Sequence, residues 1–120
     1  MAGKIKFDYD EEEDILFIYD PERKSFGSVE LGGNVIIDFD GKKRVVALEF
    51  LDATESLSSL TGKKITKKML SGIKQAKFLA ETKKGMLIIK FIILCAEKPI
   101  ESMLTMTALN YRSHAMAAFA

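Results

Sequence analysis

Residues Asn34–Asp52, NVIIDFDGKKRVVALEFLD, decide the architecture, because two apolar runs flank a turn that begins with Asp40-Gly41. Side chains in a strand alternate between faces, and cross-strand partners share a face. Val35, Ile37 and Phe39 form the apolar set of the first run; Val46, Leu48 and Phe50 form that of the second. Pairing Phe39 with Val46, Ile37 with Leu48 and Val35 with Phe50 gathers all six on one face. A slip of one residue would set the second group against Asp38, so burial selects this register. The turn is then Gly41 to Arg44, with Gly41 free to take positive φ and the basic residues solvated at the tip. The reverse face is mixed, with Asp38 and Glu49 as diagonal neighbours.

Working outward, Lys4 to Tyr9 alternates charged residues with Ile5, Phe7 and Tyr9, the pattern of a half-buried strand. An acidic loop, Asp10 to Asp14, leads to Ile15–Tyr19, which is apolar on both faces and reads as a more central strand antiparallel to the first. Asp20-Pro21 ends it, a short strand follows at Ser28 to Leu31, and Gly32-Gly33 turns the chain into the hairpin. Five strands joined by short loops predict an antiparallel β-meander over residues 1–53.

Downstream the period changes. Thr54 to Gly62 offers capping residues, a Leu57/Leu60 spacing and a glycine stop, which predicts a short helix, with Asp52 in place to cap it. Thr66 can cap a second, with Ile65 and Leu70 as a hydrophobic staple and Met69, Leu70 and Ile73 as its apolar stripe. Residues 54–74 are thus a helical connection. Strands return over residues 75–110: Lys77 to Lys83, Met86 to Cys95 after a turn at Lys84-Gly85, and Ile100 to Leu109 after Lys98-Pro99. The prediction is one α+β domain over residues 1–120, ending in a C-terminal β-hairpin or three-stranded meander packed on the helices and a weakly patterned tail, 111–120. Met86–Cys95 is apolar on both faces apart from Lys90. Such a strand needs cover on two sides, from the helices on one and from another sheet or subunit on the other, and in so small a chain a second subunit is favoured.

The 120 residues are 48% apolar with mean hydropathy +0.05, ample for a single core. Net charge is +1, but residues 1–60 carry 7 basic against 14 acidic side chains and residues 61–120 carry 11 against 3. Mutual neutralisation within one domain explains this most simply; a basic face for an acidic partner is the alternative. The single cysteine, Cys95, cannot form an internal disulfide and reads as a buried, inert thiol. No apolar signal core opens the chain, and the longest apolar run, residues 86–96, falls short of the roughly 20 residues of a membrane-spanning helix. A cytoplasmic location without membrane partners is expected.

Chemistry is sparse. His114, the only histidine, lies in the tail, so no zinc site can be composed. Asp14, Glu30, Asp38, Asp40, Glu49 and Asp52 are the carboxylates that could gather around magnesium or calcium, with Asp38, Asp40 and Glu49 as the candidate metal ligands. Asp38-Phe39-Asp40-Gly41 starts like a calcium loop but lacks the helical flanks, and a strand hairpin explains it better. Lys64, Lys67 and Lys68 would share one helical face, the candidate nucleic-acid contact, although the aromatic interleaving of a single-strand binder is missing. No catalytic residue and no cofactor is predicted.

Four blocks carry a resemblance: Tyr9 to Ile18 (YDEEEDILFI), Ser28-Val29-Glu30, Val35 to Asp40 (VIIDFD) and Val45 to Thr54 (VVALEFLDAT). In order and spacing they resemble the small prokaryotic proteins grouped as domain of unknown function 2283, and the remainder resembles the extended, mostly archaeal members more loosely. Ala47 stands where the family usually has glycine, and Thr54 where it often has serine. The resemblance implies a small β-rich cytoplasmic protein with no accepted activity; some members are encoded beside small toxin-like proteins, which implies an antitoxin-like or partner-binding role for those. The expected function is a non-enzymatic, oligomeric protein-interaction module, a homodimer with a possible protein partner. A carboxylate-metal-dependent hydrolase and a nonspecific nucleic-acid binder acting through the basic helix are the alternatives.

Overall fold

The hairpin forms as two antiparallel strands, β4 (Val35–Phe39) and β5 (Val45–Phe50), in a computed structural model that describes residues 4–96 and 98–107. Val35 pairs with Phe50 and Ile37 with Leu48, as burial requires. Phe39, however, pairs with Val45 instead of Val46, because a bulge after Asp38 sets two β5 residues against one on β4. The turn differs as well. Lys43, and not Gly41, takes the left-handed conformation, at φ 64. The reason lies in Asp40, whose carboxylate accepts bonds from the N–H groups of Lys42 and Arg44 at 2.9 Å each while its own N–H donates to the Arg44 carbonyl at 2.9 Å. This closure moves the strained position toward the end of the loop.

β1 (Lys6–Asp10), β2 (Ile15–Tyr19) and β3 (Gly27–Leu31) complete a five-stranded antiparallel sheet in the order β1-β2-β5-β4-β3. β3, β4 and β5 run as a sequential meander whose last strand returns to lie beside β2. Leu16 then meets Phe50 and Ile18 meets Leu48, and all four are fully buried. The doubly apolar β2 thereby gains a neighbour on each side.

Two short helices follow, α1 (Ala53–Thr61) and α2 (Lys67–Ser71). Gly62 ends α1 at φ 70. Thr66 caps α2 by accepting from the Met69 N–H at 3.2 Å, and the staple residues Ile65 and Leu70 are both buried. Ile73 does not extend the α2 stripe: Gly72 stops the helix, and Ile73 opens β6 (Ile73–Lys83), paired with Cys95. β7 (Met86–Cys95) and β8 (Pro99–Thr107) complete an antiparallel sheet in the order β6-β7-β8. Lys84 and Gly85 join its first two strands at φ 49 and 78, both left-handed as a type I′ turn requires. The end of the expected third strand, residues 108–109, and the tail with His114 lie outside the described residues.

One core joins the layers. Leu16, Ile18, Ile37, Phe39, Leu48 and Phe50 of the first sheet meet Leu57 of α1 and Leu87, Ile89, Phe91 and Ile93 of β7. The rings of Phe50 and Phe91 lie 5.2 Å apart at 53°. The second sheet's inner face is therefore covered by the first sheet as well as by the helices. Among the described residues no helix is long and apolar enough to cross a membrane.

Candidate interaction surface

Strand alternation sorts the residues of the second sheet. Ala76, Phe78 and Ala80 of β6 align with Ile93, Phe91 and Ile89 of β7 and with Ile100, Ser102 and Leu104 of β8, and this set faces the core. The other set faces away from it. Its rows across β6, β7 and β8 are Gln75-Leu94-Pro99, Lys77-Ile92-Glu101, Leu79-Lys90-Met103, Glu81-Ile88-Thr105 and Lys83-Met86-Thr107. Leu79 is 67% exposed, Met103 51% and Met86 39%, with Ile88, Ile92 and Leu94 half-buried among them. An open concavity of about 540 Å³ is lined by Leu79, Lys90, Ile92 and Met103, with Lys77 and Glu101 at its sides. Adjacent apolar side chains bordered by charges can bury area against a partner, which is the chemistry of an interface.

The acidic candidates are distributed differently. Asp38 and Glu49 sit on the reverse face of the first sheet as diagonal neighbours, opposite Ala47 and Ile36 respectively. Burial, and after it the charge of Glu49, pushes the Asp38 carboxyl up to about 6. On the same face Phe17 and Tyr19 stack, their ring centroids 4.7 Å apart. Asp40 belongs to the turn: besides its two backbone bonds it accepts from Arg44 Nε at 2.9 Å. Burial alone would raise its carboxyl, but these bonds and the Arg44 charge hold it below the usual range. Among the described residues no group of three or more His, Cys, Asp or Glu is arranged to hold a metal ion.

Asp14 has a role that its sequence context does not reveal. The Asp52 side chain makes no capping bond at the start of α1; instead Asp14 accepts from the Thr54 N–H and hydroxyl and from the Tyr9 hydroxyl. Against the raising effect of burial, these bonds and the Lys67 charge bring the Asp14 carboxyl below its ordinary value. Burial and the bond to Asp14 push the Tyr9 phenol upward. Of the basic candidates, Lys67 and Lys68 open α2, whereas Lys64 precedes the helix, so the three do not share one helical face. Cys95 is half-buried, and burial raises its thiol, which disfavours the thiolate form.

Sequence reasoning identified β7 as needing a second cover but passed over Leu79 and Met103, the most exposed apolar residues around it. The alternation of Ala76, Phe78 and Ala80 with Lys77, Leu79 and Glu81 is the signal that could have found Leu79. A family model, described as protein of unknown function (DUF2283), matches residues 6–53, the span from β1 to the start of α1. Neither the curated proteins nor the solved structures contain a match.

Proposed function

We propose, from the match of residues 6–53 to the DUF2283 family model and from the apolar sheet that follows this segment, that the protein is a non-enzymatic, oligomeric interaction module. One observation carries the reading: the outer face of β6-β7-β8 leaves Leu79 67% and Met103 51% exposed on either side of the β7 apolar row. A contiguous apolar face of this kind marks a protein contact more often than a solvated surface. An antitoxin-like role, in which the module also binds a second protein, fits the family resemblance and is the finer form of the proposal.

The test is light scattering and sedimentation of the purified protein over a wide concentration range, beside the Leu79→Glu/Met103→Glu variant. Concentration-dependent association that the double variant loses, with its circular dichroism unchanged, supports the reading. A monomer at every concentration that also captures no protein partner overturns it.

A further inference from the structure

The five outward rows of the second sheet form a grid three strands wide, and Lys90 stands at its centre, on the middle strand and in the middle row. It is exposed. The rows above and below it are occupied on β7 by Ile92 and Ile88, and its own row by Leu79 and Met103. A lysine there is a costly choice for a covered face and an informative one. Resting on the reading of this face as an interface, we propose that the partner is a second copy of this chain, packed face to face, and that Lys90 lies on the twofold axis of the dimer.

Area and charge both point to a second copy. With strands about 4.8 Å apart and a rise of about 3.3 Å per residue, the face spans roughly 450 Å² of mean sheet plane. Stable partners bury about 800 Å² each, so only nearly complete overlap of the two faces approaches an adequate contact. A twofold axis that superposes them fully lies between the sheets and passes over the grid's centre. If it runs along β7, Lys77 meets the partner's Glu101, and Leu79 meets the partner's Met103. If it runs across β7, Lys77 meets the partner's Glu81, and Ile88 meets the partner's Ile92. Either way Lys77 finds a carboxylate, and Leu79, Ile88, Ile92 and Met103 find apolar partners, while Lys83 at the end of the grid meets the neutral Thr107 or Gln75. Lys90 is the one residue of the grid that meets its own copy in both arrangements. It therefore limits the affinity of the dimer and restricts its register, since sliding the faces to separate the two ammonium groups sacrifices overlap.

Mixing tests this directly. Lys90→Glu alone places two carboxylates on the axis and associates no more tightly than wild type. A mixture of wild type with Lys90→Glu pairs lysine with glutamate across the axis, and the mixed dimer is expected to be at least about tenfold tighter than either homodimer. Lys90→Met alone also tightens association, without forming larger aggregates. Exchange of differently labelled chains, followed by fluorescence transfer and sedimentation, reads these outcomes, with circular dichroism to confirm folding. If wild type dimerises but the mixture gains nothing, Lys90 is off the axis and the proposal falls while the interaction module stands. If neither wild type, the mixture nor Lys90→Met associates, the second-copy proposal falls, and the interaction module falls with it only when the protein also captures no partner.

Discussion

Asp14 and Thr54, forty residues apart, are joined at the start of α1: the Thr54 hydroxyl donates to Asp14 Oδ2 at 2.6 Å, and its N–H lies 3.2 Å from both carboxylate oxygens. The Asp14 carbonyl accepts from the Ala53 N–H at 2.7 Å. The turn between β1 and β2 thus satisfies the free donors at the helix start that the local Asp52 side chain leaves unmet. Asp14→Ala should lower stability by about 1–3 kcal/mol, the loss of a partly buried, charge-assisted cap. Thr54→Ser, which keeps the hydroxyl, should cost much less than Thr54→Val. Urea denaturation of the three variants measures both.

Stability should pass through a maximum in mild acid. The Asp38 carboxyl is pushed up to about 6 in the fold, against 3.8 for a free aspartate side chain. Between these the folded state holds more protons than the unfolded one, so stability rises as pH falls from about 6 toward 4. The gain is roughly 1–2 kcal/mol, less than the full shift implies because the group is partly exposed. Asp14 and Asp40 are lowered and act in the opposite sense, their contribution being lost as pH drops below the ordinary carboxylate range. Thermal unfolding from pH 3 to 8 shows the maximum, and Asp38→Asn should raise stability at pH 7 and remove the rise between 6 and 4.

The Phe50–Phe91 contact ties the two sheets into one cooperative unit. Phe50 is fully buried, so Phe50→Ala should cost about 3–5 kcal/mol. In a double-mutant cycle, Phe50→Leu and Phe91→Leu should couple by about 0.5–1.5 kcal/mol. Calorimetry should show a single transition for wild type; two resolved transitions would mean that the sheets unfold separately.

Lys84 takes φ 49 in the turn before β7. Asparagine tolerates that conformation better than lysine, and Asn-Gly is the preferred pair in a type I′ turn. Lys84→Asn should therefore stabilise the protein by about 0.5 kcal/mol, read as a higher urea midpoint at unchanged slope. A lower midpoint would mean that the lysine makes a compensating contact.

Much of this fold was legible because local pattern and burial agree. Ile15–Tyr19 and Met86–Cys95 form strands with the boundaries their apolar runs predict. Thr66 and Gly62 mark helix ends through backbone geometry that acts over only a few residues. Where the reading departed, a competing interaction intervened. The bulge at Asp38/Phe39 depends on Asp40 closing its own turn, which no alternation of apolar residues encodes.

The candidate site was half legible. The two-sided apolar character of β7 announced that something must cover it, but which side the rest of the chain would take, and which neighbours would rim the other, depends on how β6 and β8 align with it. Leu79 and Met103 lie 24 residues apart in the chain and share a row with Lys90 only because both strands pair with β7.

By itself, the sequence determined which segments are strands and helices, the face each alternating strand buries and the hairpin register up to its bulge, because these follow from side-chain alternation and short-range capping. Only the tertiary structure decided the strand order β1-β2-β5-β4-β3, the capping of α1 by Asp14, the raised carboxyl of Asp38 and the central place of Lys90 on a face that no other described element covers. Each of these depends on groups distant in sequence being brought within a few ångströms, and the periodicity of one segment contains no information about the segment it will meet.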